Sequence, residues 1–270
     1  MALNKQTLII LLFLSIAQLG KAQSFPATWE IGVAAGGAGY IGDLNQNNPL
    51  QISGFNGGVF VKRNFTSHIG VRLNYTYGQI QANDANSSNQ QFVDRNINFK
   101  TALNEGSALL DFNFFDYQIN GGNRRFTPYL FAGVGFVNFK PTAKYNGTAY
   151  RLDRLATEER DNPYPTTVLT IPYGGGLRYN YKDTWSIFTE IGYRTALTDY
   201  IDDVSGVYPV NPDNYVIVGN PPNQINLTDP SVRNIGIAGT QRGDFRKRDT
   251  YLFVSVGISF TFVSSKCYSF

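Results

Sequence analysis

DTYLFVSVGISFTF, Asp249 to Phe262, carries the plainest pattern in the chain. From Leu252 every second residue is large and apolar: Leu252, Val254, Val256, Ile258, Phe260 and Phe262. Phe253, Ser255, Gly257, Ser259 and Thr261 lie between them and are mostly small or weakly polar. Side chains of an extended chain point alternately to its two faces, so this is a strand with one greasy and one small polar face. It is longer than the about five or six residues of an ordinary soluble strand. It suits a barrel strand crossing a bilayer, which needs about 9–11 residues.

Seven further segments towards the N-terminus read as strands. Strand one is Trp29 to Tyr40, with Trp29, Ile31, Val33 and Ala35 on one face and Glu30 on the other. Strand two is Gly54 to Lys62, and strand three is His68 to Ile80, where Ile69, Val71, Leu73, Tyr75 and Tyr77 oppose Arg72, Asn74 and Thr76. Strand four is Leu103 to Tyr117, with Glu105, Ser107 and Asp111 on its polar face. Strand five, Thr127 to Lys140, is apolar on both faces, so its orientation cannot be read. Strand six, Thr167 to Tyr181, contains Pro172, which has no N–H for a ladder and is expected to break it or sit at a bulge. Strand seven is Trp185 to Leu197, with Glu190 and Arg194 opposite its apolar face. The quoted stretch is strand eight. Connections after strands one, three, five and seven are long, the last spanning Thr198 to Lys247, and the others are short. Short periplasmic turns alternating with long extracellular loops are the habit of outer-membrane barrels. The expected fold is therefore all-β: an eight-stranded, antiparallel, up-and-down transmembrane β-barrel. Its aromatics are expected in two girdles. Trp29, Phe65, Phe114, Tyr117, Tyr129, Tyr179, Tyr181, Trp185, Phe260 and Phe262 fall at the periplasmic edge, and Tyr40, Tyr75, Tyr77, Phe139 and Tyr200 near the outer edge.

Composition agrees. Aromatics make up 14% of 270 residues and charges only 16%, and a net charge of +3 without a basic run argues against nucleic acid. Lys5, the apolar run Leu8–Ala17 and the small residues Gly20 and Ala22 read as a secretory signal peptide, residues 1–22, cleaved after Ala22. The run is shorter than the ~20 residues of a spanning helix. Residues 23–263 are then the barrel and 264–270 a periplasmic tail. The tail holds the sole cysteine, Cys267, so no internal disulfide can form.

Charges on the non-lipid faces are Glu30, Lys62, Arg72, Glu105, Asp111, Arg178, Glu190 and Arg194. An eight-stranded barrel is just wide enough to be filled by side chains. Arg72, Glu105, Asp111, Arg178, Glu190 and Arg194 are therefore expected to pair across the lumen as a structural network, because an unpaired buried charge is costly. No catalytic residue, cofactor site, metal site or small-molecule substrate is expected. His68, the only histidine, lies at a turn and no G-x-S-x-G motif is present, so a lipid hydrolase is disfavoured. The acids Asp199, Asp202 and Asp203 offer oxygen ligands but lack the spacing of a calcium loop, and read as solvated loop acids. Arg242-Gly243-Asp244 matches an adhesive tripeptide only by its letters.

Several stretches together resemble a family of small Bacteroidetes outer-membrane proteins, the PorG-like family of the type IX secretion system. They are Trp29–Gly32, Tyr40–Asn45, Ile171–Gly174, Glu190–Arg194 and Thr198–Ser205 (TDYIDDVS, the most specific), with Arg242–Asp244, Asp249–Phe262 and Lys266–Cys267. The tail departs from the family pattern, with Tyr268 where Pro is expected. The resemblance implies an outer-membrane location, contact with outer-membrane lipid, and docking of a periplasmic ring of PorK- and PorN-like components. Lys266, Cys267 and Phe270 of the tail are the expected partner contacts. The alternative is a surface barrel of the small OmpA/OmpX type whose long loops bind an external ligand or host molecule.

Overall fold

The computed structural model describes residues 27–117, 124–155, 157–158, 164–182, 184–210, 215–218 and 223–262. The expected signal peptide, residues 1–22, and the expected tail with Lys266, Cys267 and Phe270 lie outside the described residues.

Eight long strands close on themselves: β1 (Thr28–Ile41), β2 (Ile52–Asn64), β3 (Ile69–Asn83), β4 (Asn98–Asn113), β5 (Phe126–Tyr145), β6 (Thr167–Lys182), β7 (Trp185–Ala196) and β8 (Thr250–Phe262). Each pairs antiparallel with the next, and β8 returns to β1 in unbroken register from Trp29↔Phe262 to Ile41↔Thr250. Closure pairs every strand on both edges, which lets a sheet stand in hydrocarbon without orphaned backbone groups.

Alternation along the strands sorts side chains as the pattern predicts. Ile31, Val33, Val59, Leu73, Leu110, Ile187, Val256 and Ile258 are exposed on the outer surface, while Glu30, Lys62, Arg72 and Asp111 between them are buried. An exterior of exposed Val, Ile and Leu over an interior of buried charge inverts the soluble arrangement. It fits a bilayer-spanning barrel, whose outside meets lipid. Among the described residues no helix is long and apolar enough to cross a membrane. Strand β5 resolves as Leu130, Val134 and Phe136 outward, with Tyr129, Phe131, Val137 and Phe139 inward. Lumen glycines make room for inward rings: a Cβ on Gly32 would meet the Phe60 ring at 2.5 Å, and one on Gly257 would collide with the Phe188 ring.

Several expectations need correcting. Tyr117 and Tyr129 are buried rather than at the periplasmic edge, and Tyr40 and Phe139 are buried rather than in an outer girdle. Tyr200 packs against the same inner cluster. Leu252 is buried, although its face turns to lipid lower down at Val256 and Ile258. The break expected at Pro172 is borne out on one edge, inside a strand that begins at Thr167. Its pairing with β7 stays in register (Pro172↔Arg194), and the paired positions towards β5 skip from Ala132↔Tyr173 to Gly135↔Thr170. A proline on one edge thus interrupts one ladder and leaves the other intact.

Strands β3, β4 and β5 also run further than predicted, with β3 and β4 paired up to Asn83↔Asn98. Above the apolar belt the outer face meets water, so Gln81, exposed there, breaks no rule of the ladder while it hides the alternation. Over this end the connections fold. A helix, Gln90–Arg95, is capped by Asn89 and ended by Asn96 in the left-handed conformation. A short strand, Thr148–Arg151, turns back on β5 through Asn146-Gly147, both at positive φ as a tight hairpin requires. Within the last connection Tyr215–Val218 pairs with Asn223–Asn226.

Candidate functional site

The lumen brings the sequence-predicted charges together. Asp111 on β4 is the centre: Lys62 Nζ lies at 2.9 Å, Arg72 Nε at 3.3 Å and Arg178 Nη2 at 3.5 Å, so four strands meet at one carboxylate. Arg72 Nη1 also donates to Glu190 at 2.9 Å, and Tyr129 donates to the same oxygen of Glu190 at 3.0 Å. Towards the long-loop end Arg194 Nε lies 3.4 Å from Glu105, which accepts from Ser107 at 3.0 Å and from Tyr251 at 2.7 Å. Glu30, at the short-turn end, accepts from Asn64 at 3.2 Å. Four acids (Glu30, Glu105, Asp111, Glu190) and four bases (Lys62, Arg72, Arg178, Arg194) are all buried, so their formal charge cancels. Aromatic faces complete the packing: the Arg72 guanidinium lies 5.4 Å from Phe60 and 5.2 Å from Phe131, and Arg194 lies 4.4 Å from Phe253.

A cavity lined by Asn56, Arg72, Glu190, Arg194 and Ser255 holds about 20 Å³, room for about one water. Ser107 and Tyr251 had no signal in the sequence beyond their inward parity, and Tyr129, on the strand apolar on both faces, had none. Their partners are set by a register that only closure defines.

The second constellation is the folded cap at the long-loop end. Arg242 is its hub. Its guanidinium donates to Glu158 at 2.8 Å, to the Asp203 carbonyl at 2.7 Å and to the Thr228 carbonyl at 3.2 Å. The Arg242 carbonyl in turn accepts from Arg95 at 2.6 Å. Buried this way, Arg242 cannot be an exposed adhesive side chain. Asp203 sits in the left-handed conformation and accepts from Thr157 at 2.5 Å and Tyr164 at 2.7 Å. The TDYIDDVS acids are therefore not solvated: Asp199, Asp202 and Asp203 are all buried.

Asp202 accepts from the Tyr40 hydroxyl and, at 2.9 Å, from the Val204 amide. Asp249 accepts from the Ile201 amide at 2.9 Å, and Asp43 accepts from the Asp244 amide. Burial raises the carboxyls of Asp43, Asp199 and Asp249 above the usual range, and neighbouring carboxylates push the same way. Beside this cluster a groove of about 680 Å³ opens between the first two long connections, lined by Tyr40, Asn45, Gln81, Phe92, Phe99 and Lys144.

His68, the residue on which a hydrolase would depend, has its ring Nδ1 2.9 Å from the Asn113 carbonyl and stacks on Phe112. The candidate partner-contact residues Lys266, Cys267 and Phe270 lie outside the described residues.

Residues 5–221 match the family model described as "Domain of unknown function (DUF6089)". The chain belongs to the DUF6089 family. Within this DUF6089 chain the match takes in β1 to β7, and β8 lies beyond it. No curated protein matches the sequence. Among solved structures, the chain is similar to Ail, the attachment invasion locus protein of Yersinia pestis, solved with the heparin analogue sucrose octasulfate. The TM-score is 0.41 and the identity 12%, covering 88% of this chain and 100% of that one. It is also similar to a major outer membrane protein from Thermus thermophilus, with TM-score 0.41 and 14% identity over 88% and 100% of the two chains. Neisserial surface protein A gives TM-score 0.40 and 11% identity over 87% and 97%.

Proposed function

We propose that this DUF6089 protein is a non-enzymatic outer-membrane barrel with a structural role in the type IX secretion machinery, docking periplasmic ring components of the PorK and PorN kind. The observation that carries the non-enzymatic part is the lumen. Its charges neutralise one another around Asp111, and the cavity beside Arg72 and Glu190 has room for about one water. This packing supports a structural rather than a catalytic interior. Function then falls to the two ends and the lipid-facing belt. The secretion role rests on the resemblance carried by Trp29–Gly32, Thr198–Ser205 and the tail residues Lys266–Cys267. With an exported N-terminus, the short-turn end faces the periplasm, where a ring would dock.

Mild-detergent purification of the tagged protein is expected to recover PorK- and PorN-like partners, and loss of the protein is expected to abolish secretion of type IX cargo. Intact secretion in the deletion strain would sink this reading. A second reading, a receptor whose loops bind an external ligand, is favoured by one feature: the loops form a folded cap with a groove of about 680 Å³. Deleting residues 86–92, which wall the groove, would then abolish ligand binding and leave secretion intact.

A further inference from the structure

The carboxylates of Asp43, Asp199 and Asp249 converge at the root of the cap. Each offers an oxygen, and the three lie within 4.8 Å of one another. All three residues are buried, Asp43 at 0%, Asp249 at 1% and Asp199 at 8% exposure. A solvated acidic patch would not look like this. Among the described residues, one oxygen of each has no hydrogen-bond partner: Oδ2 of Asp43, Oδ1 of Asp199 and Oδ1 of Asp249.

The opposite oxygens of two of them are anchored. Oδ1 of Asp43 accepts from the Asp244 amide, and Oδ2 of Asp249 from the Ile201 amide at 2.9 Å. Backbone donors thus fix these carboxylates and leave the second oxygen unused. Neighbouring cations are engaged elsewhere. Arg95 is paired with Asp84 at 2.7 Å and touches only the main-chain carbonyl of Asp43, at 3.3 Å. Arg246 is half exposed and paired with Asp244 at 3.1 Å. Three carboxyls this close and this buried cannot all stay ionised by themselves: they take up protons or are joined by a cation.

We propose that Asp43, Asp199 and Asp249 form a binding site for a hard divalent cation, calcium, at the loop end of the barrel. The donors are all oxygens, with no histidine or cysteine in the cluster, which suits a hard ion rather than zinc or copper. A cage of buried carboxylates favours calcium over magnesium, which keeps several of its waters. The fourth acid, Asp202, stands beside the site with both oxygens engaged by Tyr40 and Val204, and orients the loop.

The three ligands come from distant segments. Asp43 follows β1, Asp199 opens the last long connection, and Asp249 closes it at the start of β8. A calcium ion here ties both ends of that connection to the first loop. The cap's order then depends on the ion, while the barrel's does not. This inference is independent of the secretion reading.

The test uses the full chain, folded in detergent and stripped with a chelator, with calcium as the probe and magnesium as the comparison. Calorimetry and metal analysis are expected to give about one calcium per chain with an affinity of roughly millimolar or tighter, and at least tenfold weaker magnesium binding. Chelation is expected to raise the rate of proteolysis within 199–247 at least tenfold and leave the heat-shifted mobility of the folded barrel unchanged. Asp43→Asn and Asp249→Asn should each weaken calcium binding at least tenfold, and Asp94→Asn, outside the cluster on the helix Gln90–Arg95, should not. Should either cluster variant fail to fold, the wild-type titration and proteolysis decide alone. No calcium binding by the folded wild-type chain would overturn the site. So would calcium binding unchanged in Asp43→Asn, and magnesium binding of equal strength would overturn the choice of calcium.

Discussion

Asp111 has Lys62, Arg72 and Arg178 within 3.5 Å, and all four side chains are buried. Deleting one partner of such a group strands the others in a medium that solvates them badly. Asp111→Ala is therefore expected to lose about 3–5 kcal/mol, read as a lowered urea midpoint in lipid vesicles. Asp94→Ala, whose side chain only accepts from Gln90 at the surface, should stay within about 0.5 kcal/mol of wild type. Equal midpoints for the two variants would show that the network does not hold the barrel. Gly257 makes a second residue-scale case. A side chain there runs into the Phe188 ring and the Val33 carbonyl. Gly257→Val is expected to cost about 1–3 kcal/mol. Adding Phe188→Leu should recover part of that loss through relief of the ring contact, a coupling that a double-mutant cycle measures. Independent, additive losses would place the strain on the backbone contact instead.

Among elements, β8 tests the lipid-facing assignment most directly. Val256 is exposed near the middle of the strand, while Ser255 beside it is buried and donates to Asn56 at 2.8 Å. Val256→Arg is expected to cost about 2–4 kcal/mol in a bilayer, whereas Ser255→Ala loses one hydrogen bond, about 1 kcal/mol. Refolding into vesicles with urea titration separates them, and a Val256→Arg protein as stable as wild type would mean that this face does not meet lipid. Strands β3, β7 and β8 were legible in the sequence for the same reason: lipid on one face and polar packing on the other force a period of two. Strand β5 was not, because Tyr129, Phe131, Val137 and Phe139 fill the interior with rings and aliphatics while Leu130, Val134 and Phe136 face out. Inward charges such as Arg72 and Glu190 could be picked by parity, but their pairing depends on the closed register. The cap escaped altogether. Its contacts join Arg242 to Glu158 and Asp43 to Asp244, far apart in the chain and carried by no local period, so its acids passed for solvated ones.

At the scale of the whole molecule, the barrel and the cap are held by different devices. The barrel rests on its ladders and the Asp111 network, and the cap on Arg242 and the acids at its root. Arg242→Ala should therefore loosen the cap more than the barrel: hydrogen exchange rises in 199–210 and 227–244 by more than the global urea midpoint falls. A fall in that midpoint equal to the local loss would mean that the two parts fold as one unit. The same division bears on transport. The plug lies between the strands, where Arg72 bridges Asp111 and Glu190 beside a cavity of about 20 Å³. The cap sits above it and packs Ile201 and Val204 into the loop end of the lumen with Leu103, Phe139 and Phe253. In planar bilayers the wild-type protein is expected to pass no steady current, and replacing 205–243 by a short Gly/Ser turn should not open one. Removing a balanced pair inside, Arg72→Ala with Glu190→Ala, in the loop-replaced protein should admit water and give measurable conductance, because an eight-stranded lumen is closed by the side chains that fill it. A current appearing on loop replacement alone would contradict this, since the gate would then lie in the cap and the charged lumen would be its path.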